Sequence, residues 1–143
     1  TMMAWIKPAG YIDSETYNGI LVYSGIVLCN VGSLLSIKND GKISMAFWCN
    51  DAYQTTGASA NLNQWNHVAF TYDGSTIIKF YMNGQFTNQA SVLVPATTNG
   101  PLRIGCTDDP GRCFNGQIDE AIIFNKALTE NQVKALYNLD LDN

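Results

Sequence analysis

The chain has 143 residues, of which 46% are apolar and only 14% charged. That length suits one domain burying a single core, and a charged fraction this low with abundant Gly, Asn, Thr and Ser points to β structure rich in turns. Eight basic residues against twelve acidic ones give a net charge of −4. With no Lys/Arg cluster, the counterion release that drives nucleic-acid binding is missing, which excludes nucleic acid as an expected partner. The longest apolar-looking stretch, Gly19 to Cys29, is too short to cross a bilayer and lacks basic flanks, so membrane insertion is not expected either.

In chain order, Met2, Ala4 and Ile6 alternate with Met3, Trp5 and Lys7, and Pro8 ends the run because it has no N–H for a ladder. This predicts the first strand. Leu34 to Lys38 and Lys42 to Trp48 read as a hairpin across Asn39-Asp40-Gly41, residue types that tolerate the positive φ of tight turns. His67 to Tyr72, Thr76 to Met82 and the run after Asn83-Gly84 predict a three-strand meander, since Asn-Gly between alternating runs is a strong hairpin signal. Leu102 to Cys106 and Gln117 to Phe124 supply two more strands. Near the C-terminus Thr129 and Gln132 form a capping box, and Leu128 and Val133 occupy the positions of a hydrophobic staple. A short helix ending near Asn138 follows. The whole predicts an all-β antiparallel sandwich, one domain over residues 1–143, with one late helix.

Cys106 and Cys113 bracket a loop whose Pro110-Gly111 favours reversal, which predicts a disulfide. Cys29 and Cys49 flank the hairpin tip, where antiparallel register would allow a second bridge; free buried thiols are the alternative for both pairs. Disulfides imply an oxidising compartment, hence a secreted or surface-exposed protein.

The order of motifs resembles a laminin-G-like jelly roll. Ala4-Trp5-Ile6-Lys7-Pro8, Asn63-Gln64-Trp65-Asn66-His67-Val68-Ala69, Tyr72-Asp73-Gly74, Tyr81-Met82-Asn83-Gly84, Pro101-Leu102-Arg103-Ile104-Gly105 and Phe114-Asn115-Gly116-Gln117-Ile118-Asp119-Glu120 carry the likeness, followed by Asn125-Lys126-Ala127-Leu128-Thr129. The resemblance covers nearly the whole chain and implies the concanavalin A-like fold. Two departures stand out. Asn66 replaces the first of the family's paired histidines, leaving His67 alone, and the strand that usually precedes the Ala-Trp segment is missing, so the chain is expected to belong to something longer.

No pair of carboxylates is placed to flank a glycosidic bond. Asp119 and Glu120 are strand neighbours and should face opposite sides unless a bulge intervenes. His67 has no Ser or Cys motif beside it, so no catalysis is expected. Trp5 and Trp65 fall in or beside patterned strands and read as packing residues. Trp48, Tyr53, Tyr11 and Tyr17 lie at strand ends or in polar loops, where an aromatic face can stack on a sugar ring; ordinary exposed loop aromatics are the competing reading. Asp119, which the resemblance places near a metal, with Asp108 and Asp109 of the tied loop, offers oxygen ligands for Ca²⁺, against the reading of a solvated acidic loop. The expected function is a non-catalytic, lectin-like module for a glycan or glycoprotein surface. A structural or decoration domain of a surface or virion assembly is the alternative. The edge at Gln117 to Phe124, with Ile118, Ile122 and Ile123, is expected to be covered by upstream residues or a neighbouring subunit.

Overall fold

The computed structural model describes residues 1–11, 17–23, 33–47, 54–91, 100–107 and 112–141. Two antiparallel five-stranded sheets face one another. The first has the order β10-β1-β6-β7-β8, from Gly116–Ile123, Met2–Pro8, Asn66–Tyr72, Ile77–Met82 and Gln85–Ser91. The second has the order β5-β4-β3-β2-β9, from Gln54–Ser59, Lys42–Phe47, Ser33–Ile37, Asn18–Tyr23 and Leu102–Ile104. A single helix among the described residues, α1 (Glu130–Leu141), follows.

The predicted meander is present as β6, β7 and β8. Asn83 and Gly84 both have positive φ (49° and 71°), the combination that a two-residue turn matching strand twist requires. The β3–β4 hairpin closes through Lys38 N–H to Lys42 O at 2.9 Å and Gly41 N–H to Lys38 O at 3.0 Å. Two strands were not expected. β2 occupies part of the apolar-looking stretch from Gly19, and β5 begins at Gln54, inside what reads as a polar loop. Its Gln-Thr-Thr-Gly-Ala-Ser sequence has no apolar alternation; pairing of Thr55 with Ser44 and Gln54 with Met45 makes it a strand.

Between the sheets lies the main core. Met2, Ala4 and Ile6 of β1, Val68 and Phe70 of β6 and Ile78, Phe80 and Met82 of β7 meet Ile20, Leu35, Ile37, Ile43 and Met45 from the other sheet. Part of the opposite face of the first sheet is buried too, under α1: Met3, Ala69 and Tyr81 pack with Leu128 and Val133. The cap forms as expected, with Thr129 N–H donating to Gln132 Oε1 at 2.9 Å and Gln132 N–H to Thr129 Oγ1 at 3.3 Å. Both staple residues are buried, while the helix runs three residues beyond the expected end, to Leu141. Trp5 is buried as expected, stacked on Tyr137 at 5.5 Å and edge-on to His67 at 5.4 Å. Gly84 lets that helix in, because a Cβ there would collide with the Tyr137 ring.

The outer face of the second sheet is closed as well. Val22, Leu34 and Ala46 form a small buried cluster, and Ser36 and Ser44 beside them are fully buried.

β10 lies at a sheet edge, as expected, but its isoleucines are not bare. The alternation expected of neighbouring residues breaks at Asp119 and Glu120. The ladder passes from Trp5↔Asp119 to Met3↔Ile122, and Glu120 sits at φ 45°, which is a bulge. The extra residue shifts the phase. Ile118, Ala121 and Ile123 therefore pack on the inter-sheet core, while Ile122 and Phe124 pack on the helix side. The bulge that the sequence reading set aside is real, so strict alternation no longer separates Asp119 from Glu120, and it also breaks the regularity of an edge that could template another strand.

Candidate functional site

One end of the sandwich gathers the β3–β4 turn, the residues after β1, the β5–β6 loop and the segment around Asn115 that leads into β10. Three hydrogen bonds fix this arrangement: Ala60 N–H to Gly41 O at 2.9 Å, Asn63 N–H to Pro8 O at 2.7 Å and Ala9 N–H to Asn115 O at 2.9 Å.

The β5–β6 loop, Asn61 to Trp65, is exposed along its length yet tightly tied. Asn66, which begins β6 and is 1% exposed, does the tying. Its Oδ1 accepts from Asn61 N–H at 2.9 Å, and its Nδ2 donates to Asn61 O at 2.9 Å and Gln64 O at 2.7 Å. A side-chain amide can satisfy both a donor and an acceptor of the loop backbone at once, which suits it to this position. Asn63 takes the left-handed conformation at φ 58°, which asparagine tolerates better than most residues. The loop thereby holds out Trp65, 43% exposed, and Leu62, 42% exposed, between the polar side chains of Asn61, Asn63 and Gln64.

This overturns the packing role expected for Trp65. Its neighbour in pattern, Trp5, is enclosed by a helix; no aromatic ring meets Trp65 among the described residues. The signal available in the sequence was the run of Asn and Gln before it, which marks a loop, and the amide at 66 in place of a histidine.

Of the aromatics singled out from the sequence, Tyr11 and Tyr17 lie near the same end but face different ways. Tyr11 donates its hydroxyl to Ala60 O, and its ring closes the end of the inter-sheet core against Gly41. Burial raises its pKa, and the nearby Asp40 carboxylate adds to the effect. Tyr17 packs instead on the outer cluster of Val22, Leu34 and Ala46, with Lys38 Nζ 5.8 Å from its ring centroid, a cation–π contact. Between them, Asp40 pairs with Lys42 at 3.1 Å. Burial pushes the Asp40 carboxyl up, but the Lys42 backbone N–H and ammonium, with Lys38 behind them, outweigh it and hold the group below the usual carboxylate range.

Trp48 and Tyr53 lie outside the described residues. The strand ends that lead into and out of their segment, Phe47 and Gln54, are at the opposite end of β4 from Lys42, about 17 Å away along a six-residue strand.

The Cys106–Cys113 disulfide is formed, with Cα atoms 4.0 Å apart. It anchors the loop to β2, where Gly19 N–H donates to Arg112 O at 3.2 Å. Asp108 and Asp109, inside that loop, and Cys29 and Cys49 lie outside the described residues. Asp119 Oδ1 accepts the Glu120 N–H at 2.8 Å, bracing the bulge. Among the described residues no group of three or more His, Cys, Asp or Glu side chains converges as a metal site would require; of the expected Ca²⁺ ligands only Asp119 is described. His67, 1% exposed between Trp5 and Tyr137, is structural as read: its backbone N–H donates to Asn83 Oδ1 at 2.8 Å, and Asn83 N–H donates to His67 O at 2.8 Å.

Known proteins share this architecture. Domain 4 of AbnA, a GH43 extracellular arabinanase from Geobacillus stearothermophilus in complex with arabinotriose, superposes with a TM-score of 0.76 at 23% identity, over 95% of this chain and 65% of that one. The Ruminococcus gnavus IT-sialidase CBM40 bound to α2,3 sialyllactose gives 0.73 at 17%, over 95% and 80%. The heptameric SAP-like pentraxin of Limulus polyphemus gives 0.71 at 18%, over 95% and 68%. In sequence, the human adhesion G-protein coupled receptor D1 is 31% identical over 130 residues, 86% of this chain but 14% of the receptor. A laminin G family model, described as the concanavalin A-like lectin/glucanases superfamily, matches residues 1–134. The chain belongs to the laminin G-like family of that superfamily.

Proposed function

We propose that this chain is a non-catalytic glycan-binding module of an extracellular protein, and that Trp65 is the platform on which a sugar ring stacks. The observation that carries the reading is the Asn61–Trp65 loop itself. An indole held out by a loop already tied through three Asn66 hydrogen bonds binds without a large ordering cost, and flanking amides supply donors and acceptors for hydroxyls. Structural neighbours solved with arabinotriose and sialyllactose support the ligand class, and the Cys106–Cys113 disulfide supports an oxidising compartment.

A glycan array followed by calorimetry on the best ligand tests this. Binding should fall at least tenfold in Trp65→Ala while the fold is kept. Absence of binding to every glycan would favour the structural or decoration role. Calcium belongs to the same proposal at the level of the family, with Asp119 its only described candidate ligand. A Ca²⁺-dependent rise in melting temperature that Asp119→Asn removes would support it, and equal melting in Ca²⁺ and EDTA would remove it.

A further inference from the structure

Helix α1 covers only part of the outer face of the first sheet. Its first turn stands beside Tyr81, so the start of β7 and the end of β6 run out in front of it and form a step. An open cleft of about 300 Å³ occupies that step. Thr71, Asp73, Lys79 and Tyr81 line it from the sheet, and Thr129 and Glu130 from the helix start. A second hollow of about 350 Å³, floored by Met2, Phe70 and Ile123, adjoins it across Asp73 and Ala127.

Part of the polar lining is already engaged: the Tyr81 and Thr71 side chains hydrogen-bond one another, and Thr129 Oγ1 accepts the Gln132 N–H of the helix cap. Asp73 is fixed by its turn: Oδ1 accepts from Ser75 N–H at 2.9 Å and Ile77 N–H at 3.4 Å, and Ser75 Oγ donates to the carboxylate. Neither Lys79 nor Glu130 has an ion-pair partner among the described residues, and both are exposed. The two carboxylates of Asp73 and Glu130 and the Lys79 ammonium thus line one small volume. An anion would meet Asp73 and Glu130 there, and a cation would meet Lys79. A neutral ring carrying several hydroxyls, each both donor and acceptor, satisfies every one of these groups, and the volume is at the lower end of ligand clefts, the size for a single ring.

We infer that this step is a second binding site, for one neutral monosaccharide unit, at the end of the first sheet remote from Trp65. The inference rests on the proposed function for its ligand class only; the residues are independent. Amide chemical-shift mapping with free glucose, galactose and arabinose at tens of millimolar tests it, on the parent chain, on Trp65→Ala and on Lys79→Ala. At least one sugar should give saturable shifts at Thr71, Asp73 and Lys79 and across 127–130, unchanged in Trp65→Ala and weakened at least fivefold in affinity in Lys79→Ala. Two outcomes overturn the step site: no saturable shift there with any of the three sugars, or shifts there that Lys79→Ala leaves untouched. Shifts confined to Asn61–Trp65 would likewise overturn it while leaving the glycan-binding reading in place; silence at both regions would count against both.

Discussion

Trp5 and Trp65 look alike in the sequence, each beside an alternating run, yet the molecule treats them in opposite ways. Trp5 is 8% exposed and Trp65 43%. The difference comes from the far end of the chain. Tyr137, carried by α1, lies over Trp5 because Gly84 leaves room for its ring and because Leu128 and Val133 seat the helix on Met3, Ala69 and Tyr81. At Trp65 no aromatic ring stacks among the described residues, and the Asn66 amide ties the loop backbone while the indole stays out. One tryptophan supports the fold; the other is the proposed platform.

The largest expected effect separates the two directly. Trp5→Ala should destabilise the protein by about 3–5 kcal/mol, the range for deleting a buried aromatic, whereas Trp65→Ala, at 43% exposure, should cost clearly less, about 1–2 kcal/mol. Urea unfolding measures both. Comparable losses would show that Trp65 is a packing residue after all, and would withdraw the platform.

Next comes the amide that holds the loop. Asn66→Ala should cost about 1 kcal/mol, because it removes the three hydrogen bonds that tie the exposed Asn61 and Gln64 backbone, and it should weaken glycan binding although Asn66 itself touches no ligand. If binding is untouched, the loop needs no pre-organisation.

The helix that distinguishes the two tryptophans can be loosened without altering either. Thr129→Ala removes the cap and should cost about 1 kcal/mol, with hydrogen exchange rising along α1 and no change in the Asn61–Trp65 loop. Faster exchange in that loop would mean that the two regions are coupled.

The smallest effect concerns the exposed Asp40–Lys42 pair at the platform end. The Asp40 carboxyl is depressed in the folded state, so its contribution is fully present above the unfolded value near 4 and is lost as pH falls through the lower folded value. Because the pair is exposed, its loss should shift melting only slightly between pH 5 and pH 3, and Asp40→Asn should remove that share of the shift. An unchanged acid profile in Asp40→Asn would show that the pair contributes nothing measurable.

What the sequence determined by itself was whatever depends on neighbours along the chain. Asn83-Gly84 and Asn39-Asp40-Gly41 set their turns through φ preferences, Thr129 and Gln132 their cap through atoms three residues apart, and Cys106 and Cys113 their bridge across a short reversible loop. The order of such local signals was enough to identify the laminin-G-like fold. The tertiary structure decided what depends on partners brought from elsewhere. β5 is a strand because β4 pairs with it, not because of its own polar sequence. The bulge at Glu120 reverses which isoleucines of β10 face the core, a phase shift that residue types alone do not reveal. The fate of a tryptophan depends on whether a helix from the other end of the chain comes to rest on it, and burial, unlike a turn, is a property of the whole packed molecule.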